Sequence, residues 1–203
     1  MTAVLELMRA IVGGDATTVD HLLVERPALA TAALATGASR QRAEPYFFTA
    51  IAHYVYAGDT ALHVAAAAHR PAIARALVAA GAGVAARNRR GAAPLHYAVD
   101  GGPGHPHWDR AAQVATIAAL LAAGADVDVT DKGGVTPLHR AVRNRCAAAV
   151  RTLLAAGADP RRANGRGSRP LQLAHQTTGR GGSGSPEAKA EQAEIVRLLS
   201  AKR

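Results

Sequence analysis

Four short stretches of the sequence repeat one phrase: GDTALH at 58–63, GAAPLH at 91–96, GVTPLH at 134–139 and GSRPLQ at 167–172. The first two phrases begin 33 residues apart, as do the last two, whereas the middle step is 43 residues. Proline in the first turn of a helix loses no hydrogen bond, so the phrase predicts a helix start. A fixed period of this length predicts a stack of helical hairpins, with ten residues inserted in one unit.

Each unit continues in the same way after its phrase. A hydrophobic pair follows the motif leucine by fifteen and sixteen residues, as in Leu77–Val78 and Leu153–Leu154. A glycine turn comes next, at 80–82, 123–126 and 156–159, and predicts that the second helix ends in a left-handed cap. Since one unit cannot bury its own apolar face, neighbouring units are expected to stack.

A short polar residue precedes each of the last three motif glycines by three positions: Asn88, Asp131 and Asn164. Such residues favour a tight turn, because their side chains bond to nearby backbone N–H groups. With these turns, the sequence resembles the ankyrin-repeat family. The resemblance implies an all-α repeat solenoid, an ankyrin-like stack of helix-turn-helix units with short finger loops. Departures from the family phrase are Ala61 in place of proline, Arg169 in place of threonine and Gln172 in place of histidine.

The resemblance covers nearly the whole chain as about five repeats, which predicts one domain over 1–203. The divergent end copies are expected to be capping repeats that face water. The predicted units are an N-terminal cap repeat with an insertion (1–57), a repeat (58–90), a repeat with an insertion (91–133), a repeat (134–166) and a C-terminal cap repeat with an insertion (167–203). The resemblance also implies a structural role for the motif histidines, which bond to backbone in the neighbouring loop: His63, His96 and His139.

The formal charge of +9 comes from 21 arginines and 3 lysines against 15 acidic residues. Two interpretations stay open: an acidic partner, or a composition bias that favours alanine, arginine and glycine. No apolar run reaches the roughly 18 residues of a membrane span, and residues 1–14 lack the order of a secretory signal. The lone Cys146 excludes an internal disulfide and fits a reducing compartment, so a cytoplasmic location is expected.

Three insertions interrupt the repeat. The first, before Gly58, contains five of the seven aromatic residues, within 46–56. These rings either fill the junction with the cap or form a contact surface, on an extended strand with Tyr54 and Tyr56 on one side. The second insertion, 101–110, carries histidines with too few partners for a metal site. The third, 178–187, is glycine-rich without a P-loop signature, and its end predicts a helix start.

Equivalent turns of a regular stack line up along one edge, so the second and third insertions are expected to flank the turn at 143–145. We expect a composite anion or partner site there. Its candidate residues are His105, His107, Trp108, Arg143, Arg145 and Arg180.

The family resemblance also implies partner contacts at the finger tips and first helices. Mapped onto this sequence, the contact positions are Tyr56, Asp59, Arg89, Arg90, Asp100, Lys132, Val135, Arg143, Asn144, Arg166, Ser168 and Gln176. The finger tips are basic almost throughout. Besides the arginines and the lysine among these contact positions, they carry Arg87, Arg161, Arg162 and Arg169.

The leading functional hypothesis is a monomeric, non-catalytic protein-binding module with a basic edge and no metal or cofactor, whose partner has an acidic surface. Two alternatives stay open. One is nucleic-acid or polyanion binding through the arginine-rich finger tips, with steep salt dependence. The other is a small enzyme that uses the loops 101–110 and 178–187, with His105 or His107 as the proton-transfer group.

Overall fold

The computed structural model describes residues 2–103, 108–176 and 185–202. Its α-helices are arranged as five antiparallel pairs in chain order. The first helices of the pairs form an inner row: α1 (Ala3–Gly13), α3 (Ala61–Ala67), α5 (Pro94–Ala98), α7 (Pro137–Arg143) and α9 (Pro170–Ala174). The second helices form an outer row: α2 (Ala16–Glu25), α4 (Pro71–Ala79), α6 (Arg110–Ala122), α8 (Ala147–Ala155) and α10 (Pro186–Ser200).

Each inner helix packs against the next inner helix, and each outer helix packs against its outer neighbours. The core consists mainly of leucine, isoleucine, valine and alanine side chains, and the motif leucines Leu62, Leu95 and Leu138 are fully buried. At roughly 25 cal/mol per Å² of apolar surface, these side chains supply the main stabilising term. The predicted all-α repeat solenoid is confirmed.

The finger loops are the segments 80–93, 123–136 and 156–169, which join one helix pair to the next. In the first, Asn88 Oδ1 accepts hydrogen bonds from the backbone N–H groups of Arg90 and Ala92, at 2.9 and 3.0 Å. The same bonds recur at Asp131 and Asn164. The prediction of three polar-residue turns is therefore confirmed.

The motif histidines tie each repeat to the next finger loop. His63 Nδ1 accepts from the Thr60 backbone N–H at 3.1 Å, and its Nε2 lies 3.0 Å from the Ala92 carbonyl oxygen. His96 and His139 repeat both contacts. Since Nε2 donates to a carbonyl while Nδ1 accepts, each ring is neutral. Burial lowers the pKa of all three histidines, that of His96 to about 4, so their predicted structural role is confirmed.

The first insertion folds back over the inner row. It contains the 3-10 turns Pro27–Ala30, Glu44–Tyr46 and Thr49–Ile51 and an antiparallel hairpin of β1 (Phe47–Phe48) and β2 (His53–Tyr54). The interpretation that its aromatic residues fill the junction holds in part, whereas the contact surface stays a prediction. Tyr46 and Phe48 are buried at the junction, whereas Phe47 and Tyr54 form an exposed ring pair with centroids 4.6 Å apart. The prediction that Tyr54 and Tyr56 share one strand is wrong, because β2 ends at Tyr54 and Tyr56 packs beneath the next finger loop.

The helix start predicted at the end of the third insertion is confirmed. Ser185 caps α10 with its hydroxyl oxygen, which accepts from the Ala188 backbone N–H at 3.1 Å, and Pro186 opens the helix. Within the described residues, no helix is both long and apolar enough to cross a bilayer.

Candidate functional site

A cavity of about 600 Å³ opens on the inner helices beside the finger loops. It extends over the second, third and fourth helix pairs, and Tyr97 on α5 forms part of its floor. Seven of the residues predicted to bind a partner or an anion line it: Tyr56, Arg90, Asp100, Trp108, Val135, Arg143 and Asn144. A pocket of this size with a few converging polar groups is a candidate binding site.

Tyr56 and Arg90 meet on the finger side of the cavity. The Arg90 guanidinium lies over the Tyr56 ring at 4.2 Å from the centroid, and that of Arg89 lies 5.2 Å away. Arg89 is also anchored, because its Nη2 donates to the Ala38 carbonyl oxygen at 2.6 Å. Stacking on an aromatic ring fixes a guanidinium plane and leaves its N–H edge available for an anion.

A charged network crosses the middle of the cavity. Arg140 donates to Asp100 at 3.4 Å and to Asp131 at 3.3 Å. The Asn144 side chain donates to the Val99 carbonyl oxygen and the Asp100 carboxylate. Because Arg140 already faces two carboxylates, its positive charge is compensated inside the protein.

Trp108 forms the wall opposite the finger loops. Its ring N–H donates to Gln113 Oε1 at 2.9 Å, and the Gln113 amide donates to the Asp100 carbonyl oxygen. The Cys146 thiol donates to the same Gln113 oxygen, and burial raises the pKa of this thiol to about 11. The buried Gln113 therefore fixes Trp108 at the cavity and ties it to α8.

The second insertion packs against the turn between α7 and α8, as expected for aligned turns. A methyl group built on Gly102 would lie only 2.1 Å from the Asn144 carbonyl oxygen. Three candidates for the composite edge, His105, His107 and Arg180, lie outside the described residues, so that edge stays a prediction. The described residues contain no group of three metal-ligating side chains.

Two predicted site residues are wrong as contacts because they are buried. Asp59 is fully buried, and its carboxylate accepts from the Tyr56 backbone N–H, the Asn88 amide and the Tyr97 hydroxyl. Arg145 is 3% exposed, and its guanidinium donates to the Gln192 side chain and the Gln176 carbonyl oxygen. Arg145 therefore joins the fourth repeat to α10 and is not available to an anion.

The remaining predicted contacts lie outside the cavity. Lys132 and Arg166 are exposed at finger tips, Ser168 is half-buried and Gln176 is exposed after α9. Residues that the sequence prediction missed also line the cavity: Ile51, His53, His69, Tyr97, Asp131 and Arg140. For Asp131 the turn pattern predicts a place in a finger loop but no role in binding. The other five residues belong to no sequence pattern that predicts a binding site.

Comparison with known families agrees with this architecture. A family model described as "Ankyrin repeat" matches residues 57–89 and 90–132, and one described as "Ankyrin repeats (many copies)" matches 120–174. The chain belongs to the ankyrin-repeat family. No curated protein matches it. Ankyrin repeats are generally protein–protein interaction modules and typically have no enzymatic activity.

Proposed function

We propose that this ankyrin-repeat protein is a monomeric, cytoplasmic binding module without catalytic activity, and that its partner is a protein with an acidic surface. The partner contacts the basic finger tips and enters the cavity between the first and second insertions. The proposed contact residues are the accessible members of the predicted set, including Arg90, Lys132, Arg143 and Arg166.

One observation carries this proposal: no finger-tip cation of the described residues forms a salt bridge. Arginines that pair with a carboxylate include Arg110, Arg140, Arg151 and Arg197, which are all on helices. Among the finger arginines, Arg87 donates to the Gly91 and Thr130 carbonyl oxygens, so it joins two fingers. A row of unpaired like charges repels itself, and an acidic partner relieves that repulsion.

Nucleic-acid binding is supported less well by the aromatic residues. Binding of single strands uses exposed aromatic faces on which bases stack. Tyr56 lies beside two arginines and Trp108 lies 5.3 Å from the Arg110 guanidinium. These two faces therefore already contact cations of the protein itself, and the exposed rings of Phe47 and Tyr54 pack against each other.

The test is affinity capture from a lysate of the source organism at low and high salt. The finger variant Lys132→Glu/Arg166→Glu is compared with Arg26→Glu/Arg75→Glu, which makes the same charge change at exposed residues away from the finger loops. We expect one protein to be retained at both salt concentrations by the wild type and the control, and lost by the finger variant.

Two other results would contradict the proposal. Equal retention by both variants would show that the finger tips are not the contact surface. Capture of nucleic acid, released at high salt and without a protein partner, would favour the polyanion alternative because phosphate contacts depend steeply on salt.

A further inference from the structure

The first insertion bounds the cavity at the end nearest the N-terminal repeat, which we call its closed end. The turn Thr49–Ile51 of the first insertion lies against α1 and covers the inner face of the first helix pair. Next to it, the His53 ring packs edge-on against Tyr97, with centroids 4.6 Å apart. Ala50, Ile51 and His53 line the cavity at this end, whereas no described residue of α1 or α2 does, so the first insertion bounds the cavity here.

The side walls are also defined. Arg90, Asp131 and Val135 line the finger side, while Pro103 and Trp108 line the opposite side. Towards the fifth helix pair, no described residue of α9 lines the cavity. The site is therefore a trough with one closed end, a shape that accepts the end of a chain rather than its middle.

Arg90 lies beside the closed end, since the Tyr56 ring on which it stacks follows β2 by two residues. Its backbone is held on both sides: its N–H donates to Asn88 Oδ1 at 2.9 Å, and its carbonyl oxygen accepts from the Lys132 N–H at 3.0 Å. No carboxylate of the described residues lies within salt-bridge distance of the guanidinium. Arg90 is thus an ordered cation with an open N–H fork.

The other arginines of the cavity differ in their available charge. Arg140 faces Asp100 and Asp131, so its charge is compensated. Arg143 is exposed on the open side and has no carboxylate partner among the described residues. The trough therefore offers one ordered guanidinium at its closed end and a second one near its opening.

We propose that the trough binds the C-terminal residues of a partner protein, with the terminal α-carboxylate on the Arg90 guanidinium. A planar fork binds a carboxylate through two parallel hydrogen bonds, which a terminal carboxylate satisfies without further neighbours. The bound chain leaves past Arg143 towards the fifth repeat, where an acidic side chain meets that guanidinium. This inference rests on the proposed function, because it assumes that the ligand is a protein.

The test uses two display libraries of the same random peptides, one with free C termini and one with the C termini fused to a carrier. The wild-type protein selects from both. Selected peptides are then made with a free or an amidated C terminus and titrated against the protein. The readout is the fluorescence of Trp108, the single tryptophan of the chain, which lines the cavity.

We expect enrichment only from the free-end library. Amidation of the peptide and the substitution Arg90→Gln should each weaken binding by on the order of tenfold or more, as for loss of a charged hydrogen bond. Arg75→Gln, which removes an exposed arginine of α4 away from the finger loops and the cavity, should leave the affinity nearly unchanged. Thermal unfolding of both variants checks that the fold is intact.

Each other outcome overturns the inference. Equal enrichment from both libraries, or equal affinity of acid and amide, rejects recognition of the terminal carboxylate but leaves protein binding intact. If neither library yields enriched peptides while lysate capture still depends on the finger tips, recognition of the terminal carboxylate is also rejected and protein binding stands. If lysate capture also fails, the proposed function fails with it.

Discussion

The repeated stack and the first insertion are built in opposite ways. In the stack, one set of contacts recurs: the motif histidine, the polar turn residue and the link between fingers, such as Lys132 N–H to the Arg90 carbonyl oxygen. In the insertion each contact occurs once, as with Arg89 to the Ala38 carbonyl oxygen. The stack thus supplies a rigid frame, and the insertion gives this chain its particular cavity.

The two regions meet at one buried polar cluster. Asp59 follows the insertion, and it accepts from Asn88 at 2.8 Å and from the Tyr97 hydroxyl at 3.1 Å. Burial and the neighbouring Asp59 carboxylate raise the pKa of Tyr97, so its hydroxyl stays protonated and donates. Residues that look like ordinary repeat positions therefore hold the insertion in place.

The largest effect is expected from removal of a core side chain of the stack. Leu138 is fully buried in α7, so Leu138→Ala leaves a cavity and should lower the free energy of unfolding by about 2–5 kcal/mol. Val24→Ala, at a side chain that is 80% exposed, is the matched control and should change little. Urea unfolding measures both. Similar stability of the two variants would contradict the assignment of the core.

Acid should weaken the stack through the motif histidines. The pKa of His96 falls from 6.5 to about 4 on folding, because burial disfavours the charged ring. The folded state therefore resists protonation, so this stability is fully present above pH 6.5 and is lost as the pH falls towards 4. The loss from His96 alone amounts to about 3 kcal/mol.

His96→Gln copies Gln172 of the fifth repeat, whose side chain accepts from the backbone N–H of Arg169. The variant should be less stable near neutral pH but should lose about 3 kcal/mol less than the wild type on acidification to pH 4. Urea unfolding at a series of pH values measures this. Parallel pH profiles would show that His96 is not buried in its neutral form.

Loss of the polar turn residue should lower the free energy of unfolding more at the junction with the insertion than at an equivalent turn of the stack. Asn88→Ala removes the turn bonds and also the bonds that its amide donates to the Asp59 carboxylate and the Tyr97 hydroxyl oxygen. Asn164→Ala removes only the turn bonds. The difference in the free energy of unfolding should be about 1.5–3 kcal/mol. Equal destabilisation of the two variants would mean that the polar cluster does not fix the insertion.

Close backbone packing in the insertion can be tested with a single methyl group. A Cβ on Gly37 would lie 2.4 Å from the backbone of Tyr56, so Gly37→Ala should cost about 1–3 kcal/mol. Gly13→Ala is the control, because nothing lies within 4 Å of its added methyl group. Thermal unfolding compares the two. A neutral Gly37→Ala would show that this loop is not packed on Tyr56.

The features that the sequence could predict are those that recur in every repeat. Helices, turn residues and the role of the histidines follow from the same residues at the same spacing. The repeat position of Asp59 predicts a partner contact, but Asn88 and Tyr97 bury its carboxylate. Because these two residues are 29 and 38 positions away along the chain, no local pattern predicts the burial. For Arg145, the left-handed backbone at the end of α7 directs the side chain to α10, 47 residues away.

The cavity itself could be predicted only in part. The finger-tip position of Arg90 came from the repeat, but its stacking partner Tyr56 belongs to an insertion whose path no periodic pattern defines. No local sequence pattern predicts that Ile51 or His53 lies over the neighbouring helices. The closed end of the trough depends on these contacts between segments that are distant in sequence.

Arg90 and Arg143 have no carboxylate partner among the described residues and should make the cavity electropositive. Quenching of Trp108 fluorescence tests this without a partner protein. At constant ionic strength, the ratio of iodide to caesium quenching should be higher for Trp108 than for free N-acetyltryptophanamide, because the cavity attracts anions. The ratio should fall in Arg90→Gln/Arg143→Gln and persist in Lys132→Gln/Arg166→Gln, which changes the net charge equally outside the cavity. A wild-type ratio no higher than that of the free compound, or the same fall in both variants, would show that Arg90 and Arg143 do not make the cavity electropositive.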